Sequence, residues 1–162
     1  LKGNLSLATY LQNINNSLVT NKNKNWLYEV STKTLFDNFP TIELGFKQSF
    51  GNYTSSNQTS KFVTTEPFLN IDYSFLKRFI FSLDYTSYKY DNKTFNQNNT
   101  YQIANATLSY KKEDSAWSFK IKSQNLFNVQ FKQQNSFSSY IITDSKTYIL
   151  PRIVLFSIGY NL

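Results

Sequence analysis

The chain contains no cysteine, no histidine and no methionine. Without cysteine there is neither a disulfide nor a thiolate metal site, and without histidine the usual general base and the commonest metal ligand are gone. Nucleophilic pairs that rely on histidine are excluded, and no two carboxylates have a spacing that singles them out for acid–base work. The reading is therefore a protein that is not an enzyme, with no cofactor, no catalytic residue and no metal site. Long apolar runs are missing too: no stretch of 18 or more apolar residues exists, which excludes a transmembrane helix. Charged side chains make up only 17%, so an extensively charged, solvated surface is also absent. The chain begins at Leu1 without a signal peptide and is read as a mature or truncated polypeptide.

What is present is an unusual mixture. Aromatic residues reach 18%, with 12 Tyr and 15 Phe, yet the mean hydropathy is -0.45. Asn, Ser and Thr occupy the places where a soluble domain would set Leu, Ala and Met. Aromatics among uncharged polar residues are the mixture expected where one face of a sheet meets lipid and the other water. Tyr, Phe, Thr, Ser and Asn are weak helix formers, and the first four suit a pleated surface. The net charge of +7 raises the question of nucleic acid, but the basic residues are scattered and no recognition helix is visible. The excess charge is assigned instead to anionic lipid headgroups or lipopolysaccharide phosphates, with no nucleic-acid partner.

Apolar/polar alternation of period two runs through eight segments. They span residues 2–12, 25–36, 41–53, 61–76, 79–91, 100–111, 116–130 and 146–162. Ile42, Leu44, Phe46 and Phe50 oppose Glu43, Gly45, Lys47 and Ser49 in the third. Phe79, Phe81, Leu83 and Tyr85 oppose Ser82, Asp84 and Thr86 in the fifth. In the last, Val154, Phe156, Ile158, Tyr160 and Leu162 oppose Ser157, Gly159 and Asn161. Connections at 37–40, 76–78 and 112–115 are tight, whereas 12–24, 53–60, 92–99 and 131–145 read as long polar loops. Short turns at one end and long loops at the other are the pattern of an outer-membrane barrel.

The fold expected is all-β: an antiparallel transmembrane β-barrel wall of about eight strands in this stretch, forming one segment over 1–162 with no plug domain. A strand tilted by about 40° climbs roughly 2.5 Å per residue, so an apolar band about 25 Å tall takes about ten residues. Counting back from Leu162 sets Arg152 at the outer rim, Tyr148 in the outer aromatic girdle and Tyr160 near the inner one.

The segments Asn125-Leu126-Phe127-Asn128 and Tyr148-Ile-Leu-Pro151-Arg152, followed by Gly159-Tyr160-Asn-Leu162, resemble the C-terminal barrel of TonB-dependent outer-membrane receptors, most closely the outer-membrane β-barrel family of Bacteroidetes. The order of the elements adds to the likeness: Asn105 to Tyr110, a turn, Trp117 opening the next strand, then the Asn-Leu-Phe-Asn element. The resemblance is good from about Glu66 to Leu162 and weaker before it. It implies a barrel of about 22 strands, of which this chain supplies the C-terminal strands. It also implies transport of a scarce nutrient, a location in the bacterial outer membrane with the C-terminus periplasmic, and a passive role as wall. The implied partners are outer-membrane lipid and lipopolysaccharide, the remainder of the barrel and its plug, TonB through an N-terminal part outside this chain, and a surface lipoprotein lid. By the same resemblance Phe156, Ile158, Gly159, Tyr160 and Leu162 form the barrel-assembly signal, although the family usually ends in Phe. The alternative is a self-contained eight-stranded outer-membrane barrel with a structural, adhesion or assembly-accessory role.

Two further groups are singled out. Glu29, Lys33, Glu43, Lys47, Asp72, Asp84, Lys120 and Lys122 fall on the polar side of the alternation and read as a wall of compensating charges wetted by water. Tyr53, Phe95, Phe131, Phe137 and Tyr140 fall in the long loops, as candidates either for stacking on a ligand or for packing within their own loops.

Overall fold

A computed structural model describes all residues except 15, 35, 37–38, 56–57, 113–114, 138–141 and 162, and describes no side chain at 14, 58, 133–137 and 142–145. The chain is all-β and antiparallel. Its strands are β1 (Lys2–Ile14), β2 (Ser17–Lys33), β3 (Thr41–Ser55), β4 (Gln58–Phe75), β5 (Phe79–Asn92), β6 (Gln97–Lys111), β7 (Trp117–Gln124), β8 (Phe131–Phe137), β9 (Ile142–Tyr148) and β10 (Ile153–Tyr160). Eight of them form one open sheet in the order β1-β2-β3-β4-β5-β6-β7-β10, and β8 and β9 pair as a separate hairpin. β1 and β10 are the two edges, and no hydrogen-bonded pairing joins them.

The alternation seen in the sequence becomes geometry through the register. Residues directly opposite share a face, and the pairs Leu5↔Trp26, Trp26↔Phe50, Phe50↔Val63 carry one apolar row across four strands. A second row runs Ile71↔Leu83, Leu83↔Ala106, and a third Leu108↔Ile121, Ile121↔Phe156. A one-residue slip at any ladder would send a whole strand's apolar set to the opposite face; none occurs, so all eight strands contribute to one continuous apolar face. The opposite face collects the Asn, Ser, Thr and most of the charge.

Three expectations are corrected. The segments 12–24 and 53–60 are mostly strand and 92–99 is half strand: β1 and β2 pair out to Ile14↔Ser17, β3 and β4 to Ser55↔Gln58, and β5 and β6 to Asn92↔Gln97. The connections at that end are therefore short, and the paired hairpins themselves project. At roughly 2.5 Å per residue the 18 residues of β4 reach about 45 Å, well beyond an apolar band of about 25 Å. Second, the segment expected over 116–130 breaks after Gln124, and that over 146–162 breaks between Tyr148 and Ile153, so the described residues form ten strands, and the stretch 131–145 expected as a long loop supplies β8 and the start of β9. Third, Tyr148 lies in β9 of that separate hairpin and not in a girdle of the main sheet. Left-handed backbone marks the turns at Asn16, Asn96, Asn125 and Asn128, with φ of 61°, 50°, 53° and 55°, which asparagine tolerates better than most residues.

The sheet is one layer thick. Among the described apolar residues only Tyr53, Tyr90 and Ala104 are buried, while Leu7 is 63% exposed and Ile158 57%. Packing is instead cross-strand. The rings of Phe68 and Phe62 lie over Gly45 and Gly51, their register partners, and a Cβ on either glycine would come within 2.0 Å of the ring's Cζ. Gly51→Val is expected to displace Phe62 and cost about 1–3 kcal/mol by overpacking, read as a lower urea midpoint at unchanged m-value. A variant as stable as the parent would show that the ring is not held there.

Candidate functional site

The apolar face is bounded at the short-turn end by rings in sequence across the strands. Phe75 stacks on Phe79 at 5.2 Å, Phe79 meets Tyr110 at 4.9 Å, and Trp117 meets Tyr160 at 4.8 Å. A second cluster, Trp26, Tyr28, Phe46 and Phe50, lies on β2 and β3. Some polar groups on this face pair along it: the Tyr28 hydroxyl donates to Gln48 Oε1, and Gln48 Nε2 donates to Thr65 Oγ1 at 3.2 Å. Such pairing removes the cost of leaving polar groups without a partner in an apolar setting.

Charge divides unevenly between the faces. By register, Glu29, Lys33, Glu43, Lys47, Glu66, Asp72, Asp84, Lys120 and Lys122 share the polar face. Some of them pair there: Lys2 Nζ lies 3.2 Å from Glu29 and Lys47 Nζ 3.5 Å from Glu66, while Asn70 Nδ2 donates to Glu43 at 3.3 Å. Lys33 and Glu43 are register partners. Among the described residues no group of three or more acidic side chains comes together to hold a metal ion.

At the projecting end of the polar face two hydrogen-bonded groups of side chains, adjacent in register, form a belt across five strands. Asn21 Nδ2 donates to Gln12 Oε1 at 3.3 Å, and the Tyr53 hydroxyl donates to Asn21 Oδ1 at 3.0 Å. Ser60 faces Tyr53 in register and accepts from Asn92 Nδ2 at 3.0 Å, while the Tyr90 hydroxyl accepts from the same amide at 3.2 Å. Asn92 Oδ1 accepts from the backbone of Thr94 and Phe95, which closes the β5–β6 turn. Sequence reasoning missed Asn21, Ser60, Tyr90 and Asn92; the signal available was the Asx-turn pattern of Asn92-Lys-Thr94.

The loop aromatics fare differently from one another. Tyr53 is not in a loop: it sits in β3, 7% exposed and inside this belt. Phe95 lies half-buried in the β5–β6 turn. Phe131 is in β8, with Lys146 Nζ 5.2 Å from its ring centre. Phe137 ends β8, its side chain outside the described residues, as is all of Tyr140. Of these, the described Tyr53, Phe95 and Phe131 lie on three different elements.

The Asn-Leu-Phe-Asn element and Pro151-Arg152 do meet. Asn125, 3% exposed, donates through Nδ2 to the carbonyls of Val129 (2.8 Å) and Leu150 (2.9 Å) and accepts from Val129 N–H at 2.8 Å. Its own N–H donates to Asn105 Oδ1 at 3.1 Å, and Leu126 N–H to Ala104 carbonyl at 2.9 Å. Asn128 Oδ1 accepts from Arg152 N–H at 3.1 Å, and the Arg152 guanidinium reaches the Leu126 carbonyl at 3.5 Å. Phe127 meets Tyr85 edge-on at 6.0 Å, and Pro151 is exposed next to Arg152. This node is where β7 gives way to β8 and β9 returns to β10.

Phe156, Ile158 and Tyr160 lie on the apolar face of the edge strand, Gly159 on the polar face beside Ser118, and Leu162 outside the described residues. No family model, curated protein or solved structure matches the chain.

Proposed function

We propose that this chain is wall from a larger outer-membrane β-barrel, the C-terminal strands of a TonB-dependent type of receptor that takes up a scarce nutrient. The observation that carries the reading is a single-layer antiparallel sheet whose eight strands all turn apolar side chains to one face, with both edges unpaired. Nothing in a water-soluble fold accounts for an apolar face of this extent left uncovered. Lipid would cover it, and the aromatic row at the short-turn end suits a lipid–water boundary. Open edges in hydrocarbon leave backbone groups without partners at several kcal/mol each, so β1 and β10 need neighbouring strands from outside this chain. The polar face, with both signs of charge, then lines the interior. The role is passive: the wall holds the projecting hairpins at the surface, while ligand capture and plug movement involve parts beyond it.

The rival reading, a closed eight-stranded barrel, requires β1 to pair with β10. Cysteines at Leu7 and Ile158 in the membrane-inserted protein distinguish the two. A larger barrel predicts no disulfide under mild oxidation, with both positions reactive to a lipid-soluble thiol reagent; efficient crosslinking between them would establish the small barrel instead.

A further inference from the structure

Tyrosines in the main sheet that face a ring across the ladder face phenylalanine or tryptophan: Tyr73 is opposite Phe81, Tyr110 opposite Phe119 and Tyr160 opposite Trp117. One pair differs. Tyr88 on β5 and Tyr101 on β6 are register partners, with ring centroids 4.6 Å apart and ring planes within 16° of parallel. Among the described residues no other two tyrosine rings are in contact. Tyr90, two residues along on the same face, stacks on Phe62 instead. Tyr88 and Tyr101 are both half-buried, so neither ring is sealed from a small solute. The pair sits on the polar face of the projecting β5–β6 hairpin, inward of its last pair, Asn92↔Gln97. The chain has no cysteine, so a disulfide cannot tie that hairpin together.

We infer that Tyr88 and Tyr101 are a site of oxidative cross-linking, at which a one-electron oxidant driven by hydrogen peroxide joins the two rings as dityrosine. The stack sets up the chemistry. Each phenol gives one electron to the oxidant and its hydroxyl proton to water, leaving a neutral phenoxyl radical with unpaired spin on the oxygen and on the ring carbons ortho to it. The orbitals that hold this spin stand perpendicular to the ring, so two nearly parallel rings point them at each other. A carbon–carbon bond forms between one ortho carbon of each ring, and each ring then passes its ortho hydrogen to its oxygen and becomes aromatic again. In sum two electrons and two protons leave, and one hydrogen peroxide takes them up as two molecules of water. A phenylalanine partner gives no phenoxyl radical, which leaves Tyr73 and Tyr110 with nothing beside them to couple to. The new bond ties β5 to β6 across the ladder, so the hairpin stays joined even when its turn is cut, and it restricts the unfolded chain as a disulfide would. This site does not depend on what covers the apolar face.

The test exposes the full-length protein, dilute in mild detergent, to hydrogen peroxide and a small haem peptide as the one-electron oxidant, followed by trypsin and mass spectrometry. Cleavage after Arg78, Lys89, Lys93 and Lys111 puts Tyr88 in peptide 79–89 and Tyr101 in peptide 94–111. The expected product is these two peptides joined with the loss of two hydrogens, the link assigned to Tyr88 and Tyr101 by fragmentation, together with dityrosine fluorescence. It should form about tenfold faster than any other link between tyrosines, because the rings are already held against each other. Tyr101→Phe keeps a ring for the stack and is expected to abolish both the link and the fluorescence, whereas Tyr73→Phe, on the apolar face, should leave both unchanged. Absence of the joined peptides, preferential linking of other tyrosines or of two molecules, or undiminished fluorescence in Tyr101→Phe overturns the proposal.

Discussion

On the proposed reading, in which the apolar face meets lipid, Leu83→Arg and Phe156→Arg are each expected to destabilise the inserted protein by about 2–4 kcal/mol, the cost of a cationic side chain on the lipid side near mid-membrane. Leu83 lies between Ile71 and Ala106 in register, and Phe156 beside Ile121, so both are on the apolar face, Leu83 in mid-sheet and Phe156 on the edge strand. Ser82→Arg changes the adjacent residue to the same side chain, but on the polar face directly opposite Asp72, where a guanidinium gains a partner and water. Its effect should stay under about 1 kcal/mol. The measurement is urea-dependent loss of the heat-modifiable band after folding into vesicles. Adjacent positions with opposite outcomes are what a two-faced wall demands; equal losses at Leu83 and Ser82 would show that neither face meets lipid.

The faces themselves were legible because a strand's period is two and the apolar residues keep to it strand after strand. Ile42, Leu44 and Phe46 or Phe79, Phe81 and Leu83 need no structure to be assigned to one side. Strand ends were not legible, and for a physical reason. Toward the projecting end polar residues occupy both faces of the hairpins, so the alternation stops although the pairing continues; Asn13, Asn21, Asn23 and Thr54 look like loop residues for that reason. Polar cross-strand contacts such as Tyr53 to Asn21 depend on register, which no local pattern states. The break in the last hairpin was hidden differently. Periodicity carried the strand through Gln124 into Asn125-Leu126-Phe127-Asn128, and those residues were recognised as an element without being recognised as a turn. Two asparagines three apart were the available signal, since asparagine is among the residues that most readily adopt left-handed backbone.

That turn supports the second large effect, at Asn125. One buried side chain there satisfies the Val129 and Leu150 carbonyls and the Val129 N–H while its backbone holds φ at 53°. Asn125→Ala removes three hydrogen bonds, strands two carbonyls and an N–H, and leaves an alanine in a conformation costly for it, so a loss of about 2–4 kcal/mol is expected. Asn125→Asp keeps the size and the acceptor for Val129 N–H but turns an acceptor toward two carbonyls, and should be at least as damaging. Asn128→Ala, which gives up one bond to the exposed Arg152 N–H and also leaves an alanine at φ 55°, should cost about 1–2 kcal/mol. The damage should be local in kind: proteolytic cleavage within residues 125–152, at the β8–β9 hairpin, is expected to rise before the main sheet unfolds, because the node ties that hairpin to β5, β6 and the start of β10 and not to β1 through β4. Uniform loss of protection across β1 to β7, or an Asn125→Ala variant as resistant as the parent, would show that the hairpin is anchored by something other than this asparagine.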